Sequence, residues 1–151
     1  MKIAIVAFSD RSGGSRSVGP DIISRIDTRS LPVPVVVIRG EQEPLRTLEI
    51  ASEFDGLIIV DGASMGEPPG TLKTFDLNDL VLGGVSRPVT LLGVKIDSEL
   101  LFAHKYLDLP PTRIVCIETG SPLETLGSES SPWNADHFEK AIRQAIDQLT
   151  T

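Results

Sequence analysis

The run Asp55–Thr71, D-G-L-I-I-V-D-G-A-S-M-G-E-P-P-G-T, limits the fold more than any other stretch of the chain. Leu57–Val60 are four consecutive apolar β-formers with no polar residue between them. A short unbroken apolar run bounded by turn residues reads as a strand buried on both faces. Such a strand needs cover on each side, and helices over a parallel sheet supply it. The strand is expected over Asp55–Asp61, ending at the carboxylate of Asp61. Ligands of open α/β sheets sit outside the carboxyl ends of the strands, so Asp61 is the first candidate functional residue. The plainer role for Asp61 is to cap the following Gly/Pro loop by accepting backbone N–H groups. Position alone leaves both roles open.

The rest of the chain alternates in the manner this strand requires. Lys2–Phe8 reads as a first, central strand, followed by the loop Ser9–Ser17. Gly19-Pro20-Asp21 then opens a helix, with proline and an acid in the first turn where both are favoured. Ile22, Ile23 and Ile26 form its apolar stripe. Leu31–Arg39 is a second strand, and its prolines suit the start of a strand at a sheet edge. Pro44 begins a helix to about Phe54, with Leu45, Leu48 and Ala51 inward. Thr71–Phe75 reads as a further strand and Leu77–Leu80 as its turn. Val81–Ile96 fits either a strand or a buried loop leading into a helix. Asp97 or Ser98 is expected to cap that helix, which runs through Leu107 and stops at Pro110-Pro111. Arg113–Ile117 is the last strand, Glu118–Pro132 a long Gly/Ser/Pro loop. Asn134 caps a final helix with Phe138, Ala141, Ile142, Ala145, Ile146 and Leu149 at helical spacing.

This order predicts one α/β domain over residues 1–151, mostly parallel, with helices on both faces of the sheet. At 151 residues the chain is long enough to bury a core without staples. Its net charge of −7 argues against a general nucleic-acid or anionic-membrane binder, since both need a basic footprint. A single cysteine, Cys116, excludes an intrachain disulfide and a thiolate zinc cluster. The N-terminus turns polar too soon for a signal peptide, and no stretch approaches the ~20 apolar residues of a membrane span. The expected setting is the cytoplasm.

The first loop, S-D-R-S-G-G-S-R-S, is the second candidate site. Gly13 and Gly14 among serines can turn several N–H groups toward an anion. Arg11 and Arg16 would add charge-assisted donors. The loop is neither a P-loop nor a dinucleotide fingerprint, and a solvated surface loop is the alternative. His104 and His137 stand far apart, with no H-x-x-x-H or H-x-H spacing, and read as a packed helix residue and a surface residue. Cys116 in mid-strand reads as an inert core thiol. Trp133 beside Pro132 reads as packing at the helix start.

These motifs together resemble the hydrogenase maturation endopeptidases. They are Val18-Gly19 after the first loop, L-I-I-V-D-G…P-G-T at Leu57–Thr71, the helix ending before Leu109-Pro110, the strand T-R-I-V-C-I-E and the loop L-G-x-x-x-S-P at Leu126–Pro132. The resemblance covers nearly the whole chain. It implies a three-layer αβα sandwich on a twisted, mainly parallel five-stranded sheet of the flavodoxin-like, doubly wound kind. It also implies a peptidase that removes a C-terminal extension from the large subunit of a nickel-iron hydrogenase. The nickel already inserted in that substrate would then serve as the recognition element.

The metal-contact positions of the family map unevenly onto this sequence. Its first loop resembles G-N-x-L-x-x-D-(D/E)-G-x-G, and the two acids fall here on Ser15 and Arg16. Asp61 matches the aspartate of the third strand. The family histidine belongs to the segment Arg87–Asp97, which contains none. An arginine at a carboxylate position repels a cation. Asp10, at the family's asparagine position, is the compensating carboxylate, so Asp61 and Asp10 are the expected metal contacts. Arg11, Gly13, Gly14 and Arg16 are the expected substrate- or anion-binding set. Three functions follow: a divergent peptidase, a catalytically silent accessory that binds the hydrogenase tail, or a phosphate- or nucleotide-binding α/β protein using the Ser9–Ser17 loop.

Overall fold

The computed structural model describes residues 1–8, 18–40, 43–119 and 134–151. The strands are β1 (Ile3–Phe8), β2 (Val35–Gly40), β3 (Gly56–Ser64), β4 (Leu72–Asp76), β5 (Thr90–Leu91) and β6 (Thr112–Glu118). The helices are α1 (Val18–Ile23), α2 (Pro44–Ala51), α3 (Leu77–Leu82), α4 (Leu101–Tyr106, entered through a π-helical turn at Ile96–Leu100) and α5 (Ala135–Thr150). The sheet runs β2-β1-β3-β6-β4, with β5 paired to the far end of β3. The strands β2, β1, β3 and β6 are parallel, while β4 and β5 are antiparallel additions.

Two apolar layers hold helices to this sheet. On one face Leu57, Ile59 and Ile114 pack with Leu48 and Ala51 of α2, Leu77 and Leu80 of α3, and Ala103 of α4. On the other, Ile58, Val60, Val115 and Ile117 pack with Ile22 of α1 and with Phe138, Ile142, Ala145 and Ile146 of α5. Consecutive residues of β3 thus enter opposite layers, which is why its sequence shows no polar alternation. The result is the expected three-layer αβα sandwich. Asn134 caps α5 by accepting from the N–H groups of Asp136 and His137, at 2.8 and 3.3 Å. No helix among the described residues is long and apolar enough to cross a membrane.

Several boundaries differ from the sequence expectation, each for a physical reason. The central strand is β3, not β1. β3 also runs three residues past Asp61, because Gly62 and Ala63 pair with Ile117 and Glu118 on one side while Ala63 and Ser64 pair with Leu91 and Thr90 on the other. Ladder partners on both sides override the weak β propensity of Gly-Ala-Ser. β2 starts at Val35, leaving Pro32 and Pro34 outside the ladder of this edge strand. α2 ends at Ala51 and α1 at Ile23, so Ile26 packs from outside the helix.

The predicted turn at Leu77–Leu80 is helix α3. Asp76 caps it by accepting from the Asn78 N–H at 2.9 Å, and Gly83, in the left-handed region at φ 81°, ends it. The turn-like Asn-Asp pair hid a helix of only six residues. The ambiguous middle resolves into the two-residue β5 and a loop. The next helical segment is capped one turn earlier than expected, at Lys95. Its N–H donates to Glu99 Oε1 at 2.8 Å, while the Leu100 N–H donates to the Lys95 carbonyl five residues back at 2.9 Å. The segment thus starts without a side-chain N-cap, and Glu99 instead satisfies the N–H of the cap residue itself.

Candidate functional site

Asp61 sits where the ladder of β3 changes partner. β1 pairs with β3 as far as Ala7↔Val60, and β5 takes up the same side from Ala63. On the other side Asp61 lies opposite Cys116 of β6. The residue is therefore inside the strand, 1% exposed, rather than at its end. Its Oδ2 accepts the Gly93 N–H at 2.8 Å. A buried carboxylate is tolerable only with such hydrogen bonds. The carboxylate has a consequence for its neighbour. Burial first, and the Asp61 charge second, push the Cys116 thiol well above its ordinary range. Cys116 is thus a protonated core thiol, not a thiolate ligand.

The described residues that flank the first loop meet beside Asp61. That loop leaves from Phe8, at the end of β1, and re-enters the described chain at Val18–Gly19. A Cβ on Gly19 would stand 3.0 Å from both the Phe8 and the Val60 carbonyl oxygens. Only glycine lets α1 lie this close to the end of β1 and the Val60 carbonyl of β3. Both anchors of the loop therefore abut the residue before Asp61. Asp10, Arg11, Gly13, Gly14 and Arg16, and Trp133 of the later loop, lie outside the described residues.

A second buried carboxylate, which the sequence reading passed over, stands at the same end of the sheet. Glu118, the last residue of β6, is 2% exposed. Its Oε1 accepts from the N–H groups of Met65 at 2.7 Å and Glu67 at 3.0 Å. Its backbone joins the same loop, donating to the Thr71 carbonyl and accepting from the Gly70 N–H, each at 2.8 Å. Glu118 thus fixes the Gly/Pro loop in the role that seemed open to Asp61. The signal was present: T-R-I-V-C-I-E is also an apolar run ending in a carboxylate.

The histidines do not join this end of the molecule in any metal-binding group. His104 is half-buried in α4 and His137 exposed in the first turn of α5. Among the described residues no three His, Cys, Asp or Glu side chains are grouped to hold a metal ion. The segment where the family resemblance implies a histidine delivers the Gly93 N–H to Asp61 instead, a donor rather than a ligand.

A family model for hydrogenase maturation proteases (HycI) matches residues 20–148. The chain belongs to the hydrogenase maturation protease family. Solved structures with the same fold include the hydrogenase maturating endopeptidase HybD from Escherichia coli, at 15% identity and a TM-score of 0.63, covering 98% of this chain and 93% of that one. A solution structure of an endopeptidase from Escherichia coli matches at 16% identity and a TM-score of 0.61, over 99% and 91% of the two chains. The [NiFe] hydrogenase maturation protease HycI from Thermococcus kodakarensis matches at 16% and 0.55, over 98% and 91%. No curated protein matches the sequence. At these identities the structural likeness speaks for the fold, and membership of the hydrogenase maturation protease family rests on the family model.

Proposed function

We propose that this protein processes or binds the C-terminal tail of a nickel-iron hydrogenase large subunit. The observation that carries this reading is the family match over residues 20–148, with a buried carboxylate, Asp61, beside both anchors of the first loop. In the processing form, Asp61 and Asp10 contact the nickel carried by the substrate. Arg11, Gly13, Gly14 and Arg16 hold the peptide through its carbonyls or carboxylates. The metal is part of the substrate here, so no resident site is required of the chain.

One observation favours a second form. Asp61 accepts a backbone N–H from the segment in which the resemblance implies a histidine, and Arg16 stands at a family carboxylate position. One acid pair without imidazole is a weak nickel site. On this form the protein is an accessory that holds the tail without cutting it.

A single experiment separates them. A purified large-subunit precursor is incubated with the protein, tail removal is followed by intact-mass spectrometry, and affinity by calorimetry. Processing predicts loss of the tail that Asp61→Ala abolishes. Accessory binding predicts an intact precursor held in a complex that Arg16→Glu weakens. A precursor neither cut nor bound refutes both forms.

A further inference from the structure

A cleft of about 370 Å³ opens beyond Asp61, lined by Ser64, Met65, Gly66, Arg87, Pro88 and Thr90. Ser64 lies three residues along β3 from Asp61, or about 10 Å at the rise of an extended strand. One wall of the cleft depends on a carboxylate already described. Glu118 pins the N–H groups of Met65 and Glu67, fixing the start of the loop that forms one wall. The Glu67 carboxylate then holds two cations: Lys73 Nζ at 2.9 Å and Arg87 Nη1 at 3.5 Å. Lys73 and Arg87 thus meet one carboxylate beside the cleft, in a chain whose overall charge is −7. A guanidinium has five donors, so the Glu67 contact leaves Arg87 with hydrogen bonds to give. Arg87 is 68% exposed along its side chain. Ser64 and Thr90, each with a hydroxyl, belong to the same lining.

We propose that this cleft receives a carboxylate of the bound peptide, with Arg87 as its specificity-determining residue. The inference deepens the tail-binding reading and rests on it for the identity of the peptide. Arginine matches a carboxylate through parallel N–H donors, and hydroxyls complete the shell of a planar anion. Glu67 acts as a positioning residue. It anchors the guanidinium at the rim, so less side-chain freedom is lost when a ligand arrives. Lys73 supplies the second positive charge that keeps the Glu67 carboxylate from cancelling Arg87. With about 10 Å between Asp61 and Ser64, a peptide held at Asp61 would reach the cleft with residues some three positions away.

The test uses the whole protein, isotopically labelled, and three short alanine–valine peptides as probes. One ends in a free carboxylate, one is amidated, and one is amidated but carries an internal aspartate. NMR titration at low salt is expected to shift the amides of Ser64, Gly66, Arg87 and Thr90 with the first or third peptide and not with the second. Which of the two acids acts shows whether a chain end or a side chain is read. Arg87→Glu, at an exposed position that leaves folding intact by circular dichroism, should weaken binding by about tenfold or more. Arg87→Lys should fall between. Equal shifts with the amidated peptide, or full affinity in Arg87→Glu, would overturn the proposal. The hydrogenase reading is scored separately with the precursor. Unchanged handling of the precursor by Arg87→Glu sinks the cleft but not that reading, whereas peptide binding at the cleft with no affinity for the precursor does the reverse.

Discussion

Replacing Glu118 by alanine tests the account of the loop most directly. Its Oε1 accepts two backbone N–H groups, those of Met65 and Glu67, at 2.7 and 3.0 Å in a site 2% exposed. Alanine removes the acceptor and leaves both donors in place. An orphaned buried donor costs about 1–3 kcal/mol. The Met65 donor is buried and takes most of that range; the Glu67 donor is part-buried, and water reaches it at lower cost. Relief from burying a charge offsets part of the loss. The net expectation is about 3 kcal/mol of destabilisation. For a chain of this length that is a fall in Tm of about 6–12 °C. In urea, with a slope of about 2 kcal/mol/M, the midpoint should drop by about 1.5 M. Glu118→Gln retains an acceptor oxygen and should lose less than half as much. Equilibrium urea unfolding followed by circular dichroism reads both variants. A midpoint for Glu118→Ala within about 0.2 M of the parent would refute the claim that this carboxylate holds the loop.

Three further outcomes follow from the packing. Phe138→Ala, emptying a fully buried position between α5 and the sheet, should cost about 3–5 kcal/mol in the same urea assay. Gly19→Val should displace α1 from the Phe8 and Val60 carbonyls, lowering stability by about 1–3 kcal/mol and shifting the backbone amides around Phe8 and Val60 in NMR spectra. Cys116 should resist thiol reagents in the native protein and react on unfolding. Its folded thiol keeps its proton while the unfolded chain releases one as pH rises past about 8.5. Stability should therefore fall above that pH by up to about 1.4 kcal/mol per unit, and Cys116→Ala should lack this part of the decline.

What the sequence revealed and what it hid divide along the range of the interactions. The unbroken run Leu57–Val60 announced a doubly buried strand because burial on two faces is written into one short segment. The α5 stripe and its Asn134 cap were equally local and equally visible. The extension of β3 to Ser64 was not, since it depends on Leu91 and Glu118, distant in sequence. Asp61 was found as a carboxylate after an apolar run, and its contact with Gly93 was invisible because nothing in Leu92-Gly93-Val94 marks a donor. Glu118 carries the same local signal as Asp61, but in sequence it also opens a long polar stretch, which masks its place at the end of a buried strand. The cationic rim of the cleft joins Glu67, Lys73 and Arg87 across two connections, and no periodicity encodes that.

The strand order has a consequence for how the molecule comes to exist. β6 lies between β3 and β4, yet it is made after both of them. During synthesis β4, whose ladder is with β6, therefore waits about 35 residues, from Asp76 to Thr112, for the strand it pairs with. Until β6 arrives, β3 presents an unpaired edge, the kind of template on which nascent chains associate wrongly. Closing this gap is a non-local step, and such steps dominate the folding time of a sheet. The last strand to insert carries both Cys116, opposite Asp61, and Glu118, which sets the loop. The region around Asp61 is thus among the final parts to take shape, and a nascent chain released before Thr112 would hold Asp61 without either neighbour.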